Sequence, residues 1–176
     1  MDVPRDNRGN PLERSGPTIG YGVDLGQMDT RALAGLGLEP SLTAKLSPYL
    51  RLQGRRAIEY IKRNPLILSK EEVDALDVAV ENDNYTKLIS KYNKDSMAGR
   101  FERLPPGTQT AIADVYYQLG LGGAPEFWRQ VTSGDWLGAQ NNLDNFGDRY
   151  KSRRKLDAGL MDRDRRAGVL PDSGQR

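Results

Sequence analysis

Apolar residues return at helical intervals along most of the chain. Val73, Leu76 and Val80 stand at i, i+3 and i+7, one stripe of an amphipathic helix. Ser69, with Glu72 three places on, has the form of a capping box that would start it. Tyr85, Leu88, Ile89 and Tyr92 repeat the stripe and predict a following helix. Ile112, Val115, Tyr116 and Leu119 predict another, opened by Pro105-Pro106 and ended by Gly120, Gly122 and Gly123. Pro125 opens a short helix with Phe127, Trp128 and Val131 inward, and Asp135 caps one with Trp136, Ala139 and Leu143 inward. Nearer the N-terminus, Thr30 is expected to cap a helix stopped by Gly35 and Gly37. Ser47-Pro48 is expected to start one running towards Lys62, with Leu50, Ile58 and Ile61 inward. A charged helix over about residues 148–164 ends the series.

Residues 1–27 break this rhythm. They hold five Gly and three Pro among Asp6, Asn7, Asn10, Ser15 and Thr18, which is turn chemistry. Within them Pro17 to Val23 alternates β-branched or aromatic residues with Gly, predicting a short strand beside tight turns. The expected class is α+β, mostly α-helical with a small β-rich N-terminal segment. The 176 residues suit one domain, taken as residues 1–170, with 171–176 as a tail.

Composition narrows the chemistry. Lys and Arg number 26 against 24 Asp and Glu, a net +2, too even for the basic field of a duplex DNA binder. There is no Cys and no His, so a thiolate nucleophile, a Ser-His-Asp triad and the usual transition-metal ligands are excluded. Acid–base work near neutral pH falls to carboxylates, Lys or Tyr, and no metal or cofactor is expected. No apolar run approaches a membrane span, and Met1-Asp2-Val3-Pro4-Arg5 has no signal-peptide core.

Among the carboxylates Asp24 stands out, at the end of Thr18-Ile19-Gly20-Tyr21-Gly22-Val23-Asp24. A hydroxyl and a carboxylate at the two ends of such a turn could converge on one water. Equally, Asp24 could cap a turn and Thr18 could be an ordinary strand residue.

Ser15-Gly16-Pro17-Thr18-Ile19-Gly20-Tyr21-Gly22-Val23-Asp24-Leu25-Gly26-Gln27 closely resembles the signature of pesticin-like lysozyme domains, distant relatives of phage lysozymes. Two more blocks follow in family order. One holds Gln109-Thr110-Ala111-Ile112-Ala113-Asp114-Val115 and Gln118-Leu119-Gly120; the other Phe127-Trp128, Gly134-Asp135-Trp136, Asn145 to Tyr150 and Arg153-Arg154. The resemblance implies a lysozyme-like fold and hydrolysis of the β-1,4 bond between N-acetylmuramic acid and N-acetylglucosamine. It assigns Asp24 and Thr18 to the attacking water and the cationic transition state. It suggests substrate contacts at Tyr21, Gln27, Gln118, Tyr150 and Arg153.

The family's general-acid Glu lies on a helix upstream of a Val-Pro step, and here Val3-Pro4 follows Met1-Asp2 directly. That position is expected to fall before residue 1. Glu13 is the nearest substitute acid, although the adjacent Arg14 favours its ionised form. A peptidoglycan-binding pseudoenzyme is therefore the alternative. The expected partners are peptidoglycan and an immunity protein or secretion-apparatus component, with no nucleic acid, for a chain taken as a monomer. It is expected to be made in the cytoplasm and delivered by another system to act on the cell wall.

Other residues have plainer readings. Trp128, Trp136, Phe127 and Phe146 fall at core spacings. Arg149, Arg153 and Arg154 read as a charged helix face with Asp148 and Asp157 as partners. Asp162-Arg163-Asp164-Arg165-Arg166 reads as a solvated helix end.

Overall fold

The computed structural model describes residues 2–6, 8–10, 12, 15–120 and 122–171. Two short strands, β1 (Thr18–Ile19) and β2 (Val23–Asp24), pair antiparallel with Thr18 opposite Asp24 and Ile19 opposite Val23. Eight helices follow among the described residues: α1 (Thr30–Gly35), α2 (Pro40–Leu46), α3 (Gly54–Arg63), α4 (Lys70–Asp95), α5 (Pro106–Leu119), α6 (Pro125–Ser133), α7 (Trp136–Asp144) and α8 (Lys151–Arg166). The α+β, mainly helical class is what the residue pattern predicts. No helix of the described residues is long and apolar enough to cross a membrane.

The chain forms two compact units, residues 1–83 and 84–176. In the first, Ile19, Val23 and Leu25 pack with Leu33, Leu42, Leu46, Tyr49 and Leu76 in one buried cluster. In the second, Leu88 and Tyr92 join Phe101, Ile112, Val115, Phe127, Val131, Leu143 and Met161. Trp136 lies in this core and donates its indole N–H to the Pro171 carbonyl (2.9 Å).

Several helix boundaries differ from those the sequence suggests, each for a local reason. The expected single strand at 17–23 is a hairpin, because Gly20 and Gly22 adopt positive φ (54° and 107°) and turn the chain back. Asp29, not Thr30, caps α1, accepting from the Ala32 N–H at 2.8 Å. Ser47-Pro48 does not start a long helix. It forms a 3-10 turn on the end of α2, with the Ser47 hydroxyl donating back to the Thr43 carbonyl at 2.7 Å. The chain then breaks at Arg51 (φ 59°) before α3 begins at Gly54.

The helix expected after Ser69 with Val73, Leu76 and Val80, and the following one with Tyr85, Leu88, Ile89 and Tyr92, are one, α4, because nothing between them stops a helix. Its start is the predicted capping box: the Ser69 N–H donates to Glu72 Oε2 (2.9 Å) and the Glu72 N–H to Ser69 Oγ (3.2 Å).

The helix end at 162–166 is only partly solvated. Asp164 is buried and accepts from both the N–H and the hydroxyl of Thr108 (2.7 and 2.9 Å). It thereby caps the first turn of α5, whose own preceding residue, Pro105, has no side-chain acceptor.

Candidate active site

The glycine-rich segment is built around a close crossing of backbone. A side chain at Gly16 would run into the Leu52 carbonyl and Gly26, and one at Gly26 into Leu52 and Gly16. Main-chain bonds tie the same strands together. The Leu25 N–H donates to the Pro17 carbonyl (2.9 Å) and the Gly54 N–H to the Ser15 carbonyl (2.9 Å). Gln53 Nε2 donates to the Gly26 carbonyl (2.9 Å).

Asp24 sits on this crossing. Its Oδ1 accepts from the Gly16 N–H (2.9 Å) and the Gly26 N–H (2.8 Å), and so caps the 3-10 turn Leu25–Gln27. Directly opposite, the Thr18 hydroxyl donates to the Gly16 carbonyl (3.2 Å). The Gly16 residue therefore bridges the pair, its N–H on the carboxylate and its C=O on the hydroxyl. Register partners on an antiparallel pair point to the same face, and both residues are part-exposed. Among the described residues no hydrogen bond reaches Asp24 Oδ2.

Tyr21 is at the hairpin tip, 86% exposed. Its main-chain N–H is received by both carboxylate oxygens of Asp77 on α4 (3.1 and 3.3 Å). Gln27 ends the 3-10 turn and is exposed. Thr18, Tyr21, Asp24 and Gln27 are thus held by one compact backbone frame. Glu13 lies outside the described residues.

The remaining candidates fall in the second unit, around Arg154. Although three of its neighbours on α8 are exposed, Arg154 is 1% exposed. Its guanidinium stacks 4.7 Å from the Phe146 ring centre and meets Asp148 (3.0 Å), Asp157 (3.5 Å) and Asp114 (3.7 Å). Gln118 Oε1 accepts from Arg154 at 2.7 Å, and Arg153 binds the Asp114 carboxylate through two nitrogens. Tyr150 joins this cluster through its main-chain N–H, which donates to Asp148 Oδ1 (2.9 Å), while its hydroxyl accepts from Arg149 (2.7 Å), whose guanidinium also lies over the ring.

Burial pushes the Asp157 carboxyl up to about 7, with the Asp114 charge and a hydrogen bond shared with Asp114 adding to the effect. Arg154 and Arg153 pull the other way. Two hollows of 460 and 270 Å³ in this unit are lined by Phe146 and its neighbours, and by none of Gln118, Tyr150 or Arg153. Among the described residues no group of acidic side chains is arranged to hold a metal ion.

Sequence reading missed Asp77, 56 residues from its partner Tyr21, and nothing local distinguishes it. It also missed the Leu52 carbonyl, to which the paired glycines 16 and 26 were the visible clue. The partners named for the arginines, Asp148 and Asp157, are correct, but the solvated face assumed for Arg154 is replaced by burial.

Comparison with curated proteins returns no match. A family model described as "Pesticin: Bacterial toxin homologue of phage lysozyme, C-term" matches residues 2–137. That span contains the whole hairpin site and more than three quarters of the sequence, and on it the chain belongs to the pesticin family of phage-lysozyme homologues.

Proposed function

We propose that the chain is a muramidase domain that hydrolyses the β-1,4 bond between N-acetylmuramic acid and N-acetylglucosamine in peptidoglycan. The observation that carries this reading is the Gly16 bridge, which holds the Thr18 hydroxyl and the Asp24 carboxylate on one face of the hairpin. Thr18 gives its proton to the Gly16 carbonyl, so its oxygen faces outward as an acceptor. Asp24 Oδ2 is an acceptor as well. A water donating one proton to each has its lone pair directed at the anomeric carbon, while the carboxylate charge stabilises the oxocarbenium-like transition state.

The glycan lies along the hairpin, with the exposed Tyr21 ring against a sugar face and Gln27 bonding its hydroxyls. The second unit is read by itself: with Gln118 Oε1 taken by Arg154, the Gln118 amide N–H groups remain for an acetamido oxygen of peptidoglycan. On the same unit Tyr150 and Arg153 are contacts for peptide stems, Arg153 exchanging part of its hold on Asp114 for a stem carboxylate. The general acid is the family's Glu upstream of Val3-Pro4, or Glu13 in its place. As a toxin domain the chain reaches the cell wall through a delivery system, and an immunity protein protects the producer.

The test is mass spectrometry of muropeptides released from purified peptidoglycan, by the chain alone and by the chain extended upstream with a segment carrying Glu. Products with muramic-acid reducing ends, lost in Asp24→Asn, are expected. Their appearance only with the extension makes the upstream Glu the acid, and their loss in Glu13→Gln makes it Glu13. Glycan binding without release from either form leaves a peptidoglycan-binding domain instead.

A further inference from the structure

The hairpin tip is fastened by a residue far away in sequence. Asp77, on α4 beside the fully buried Leu76, receives the Tyr21 main-chain N–H on both oxygens. Its carboxylate lies against Gly20, filling the space that any Cβ at that position would need. Gly20 is therefore required twice, for its positive φ of 54° and for the approach of this carboxylate. The turn is closed by the Gly22 N–H on the Ile19 carbonyl (3.2 Å), so Tyr21 is carried on a three-residue loop with both flanks fixed.

We propose that Asp77 is a positioning residue for glycan binding: by clamping the tip backbone it sets the direction in which the Tyr21 ring meets the sugar chain. This rests on the peptidoglycan reading above and deepens it. An aromatic platform for a polymer works best when its orientation is fixed before binding, because an unfixed tip loses conformational freedom on association. Tyr21 exposes 86% of its surface, and the backbone from which its Cα–Cβ bond projects is held by Asp77. A purely structural hydrogen bond at a loop does not need an exposed aromatic at the clamped residue. Here the clamped amide and the exposed ring belong to the same residue.

The experiment is calorimetric titration with soluble glycan strands freed from peptidoglycan by an amidase, with every protein carrying Asp24→Asn, expected to abolish cleavage, so that binding is read without turnover. Tyr21→Ala and Asp77→Ala are each expected to weaken binding about tenfold, and the double variant no further, since both remove one oriented ring. Asp77→Asn keeps a carbonyl acceptor and is expected to retain most of the affinity. Exchange of the Tyr21 amide proton is expected to accelerate in Asp77→Ala and not in Tyr21→Ala. Should Asp77→Ala fail to fold, Asp77→Ser carries the same comparison.

Wild-type affinity in a folded Asp77→Ala, or in Tyr21→Ala, overturns the inference while leaving the muramidase reading intact. An additive loss in the double variant overturns it too, because the two residues then act separately. Absence of both glycan binding and muropeptide release overturns the peptidoglycan reading, and this inference with it.

Discussion

Asp24 has a structural task at one oxygen and the proposed catalytic one at the other, and substitution can separate them. Oδ1 receives two main-chain N–H groups and closes the crossing of Gly16, Gly26 and Leu52, while Oδ2 is the oxygen assigned to water. Asp24→Asn keeps an acceptor for the N–H pair and removes the charge. It is expected to cost ~1 kcal/mol or less of stability while abolishing muropeptide release. Asp24→Ala leaves both N–H groups without their partner and is expected to cost about 2–3 kcal/mol as well as activity. Thermal denaturation run beside the release assay distinguishes the two. A stability loss in Asp24→Asn as large as in Ala would show that charge, not hydrogen bonding, holds the crossing. The residue pattern revealed Asp24 and Thr18 because they flank glycines that local geometry demands. It left open whether Asp24 was a cap or a site residue, and the structure gives it the cap without using up the carboxylate.

The contact between α5 and α8 illustrates what local patterns leave out. Helix stripes and caps made α5, α6 and α7 legible, since a Pro at the start, a Gly at the end and apolar spacing act within one element. The carboxylates that join elements could not be read this way. Asp164 caps α5 from α8, and Asp114, Asp148 and Asp157 converge on Arg154 from α5, the loop before α8, and α8 itself. Three carboxylates around two arginines leave one in excess when all are ionised, if Asp148 is counted with Arg154 and Asp114 with Arg153. Burial makes Asp157 the one that keeps its proton, with its carboxyl at about 7. The folded state then holds that proton more tightly than an unfolded Asp does. Stability contributed by this site is complete below the usual Asp range and falls as pH rises from about 4 to about 7. No His titrates in that window to mask the effect. Asp157→Asn keeps a neutral donor and acceptor. It is expected to flatten the decline and to stabilise the protein above pH 7 by on the order of 2 kcal/mol. Denaturant titrations at pH 5 and pH 8 check this, and an unchanged slope in the variant would place the proton elsewhere.

For the whole molecule, charge and core point in different directions. The net +2 is spread over pairs: Arg153 and Arg154 face aspartates, and Arg165 and Arg166 share Asp162. The apolar cores are two, one per compact unit, and α4 contributes to both, with Leu76 in the first and Leu88 in the second. Sequence reading took these two stripes for two helices, because the apolar positions change neighbours between Val80 and Tyr85 although the backbone does not stop. A helix of 26 residues, about 39 Å long, is stable in water mainly through the surfaces it buries. Each core therefore supports the half of α4 on which the other depends, and the units are expected to unfold together. Leu76→Ala and Leu88→Ala, each about 2–5 kcal/mol by loss of buried methylenes, are expected to lower one common calorimetric transition. Two resolved transitions, with each substitution moving only its own, would mean that α4 frays between the cores and that the hairpin site can open while the second unit stays folded.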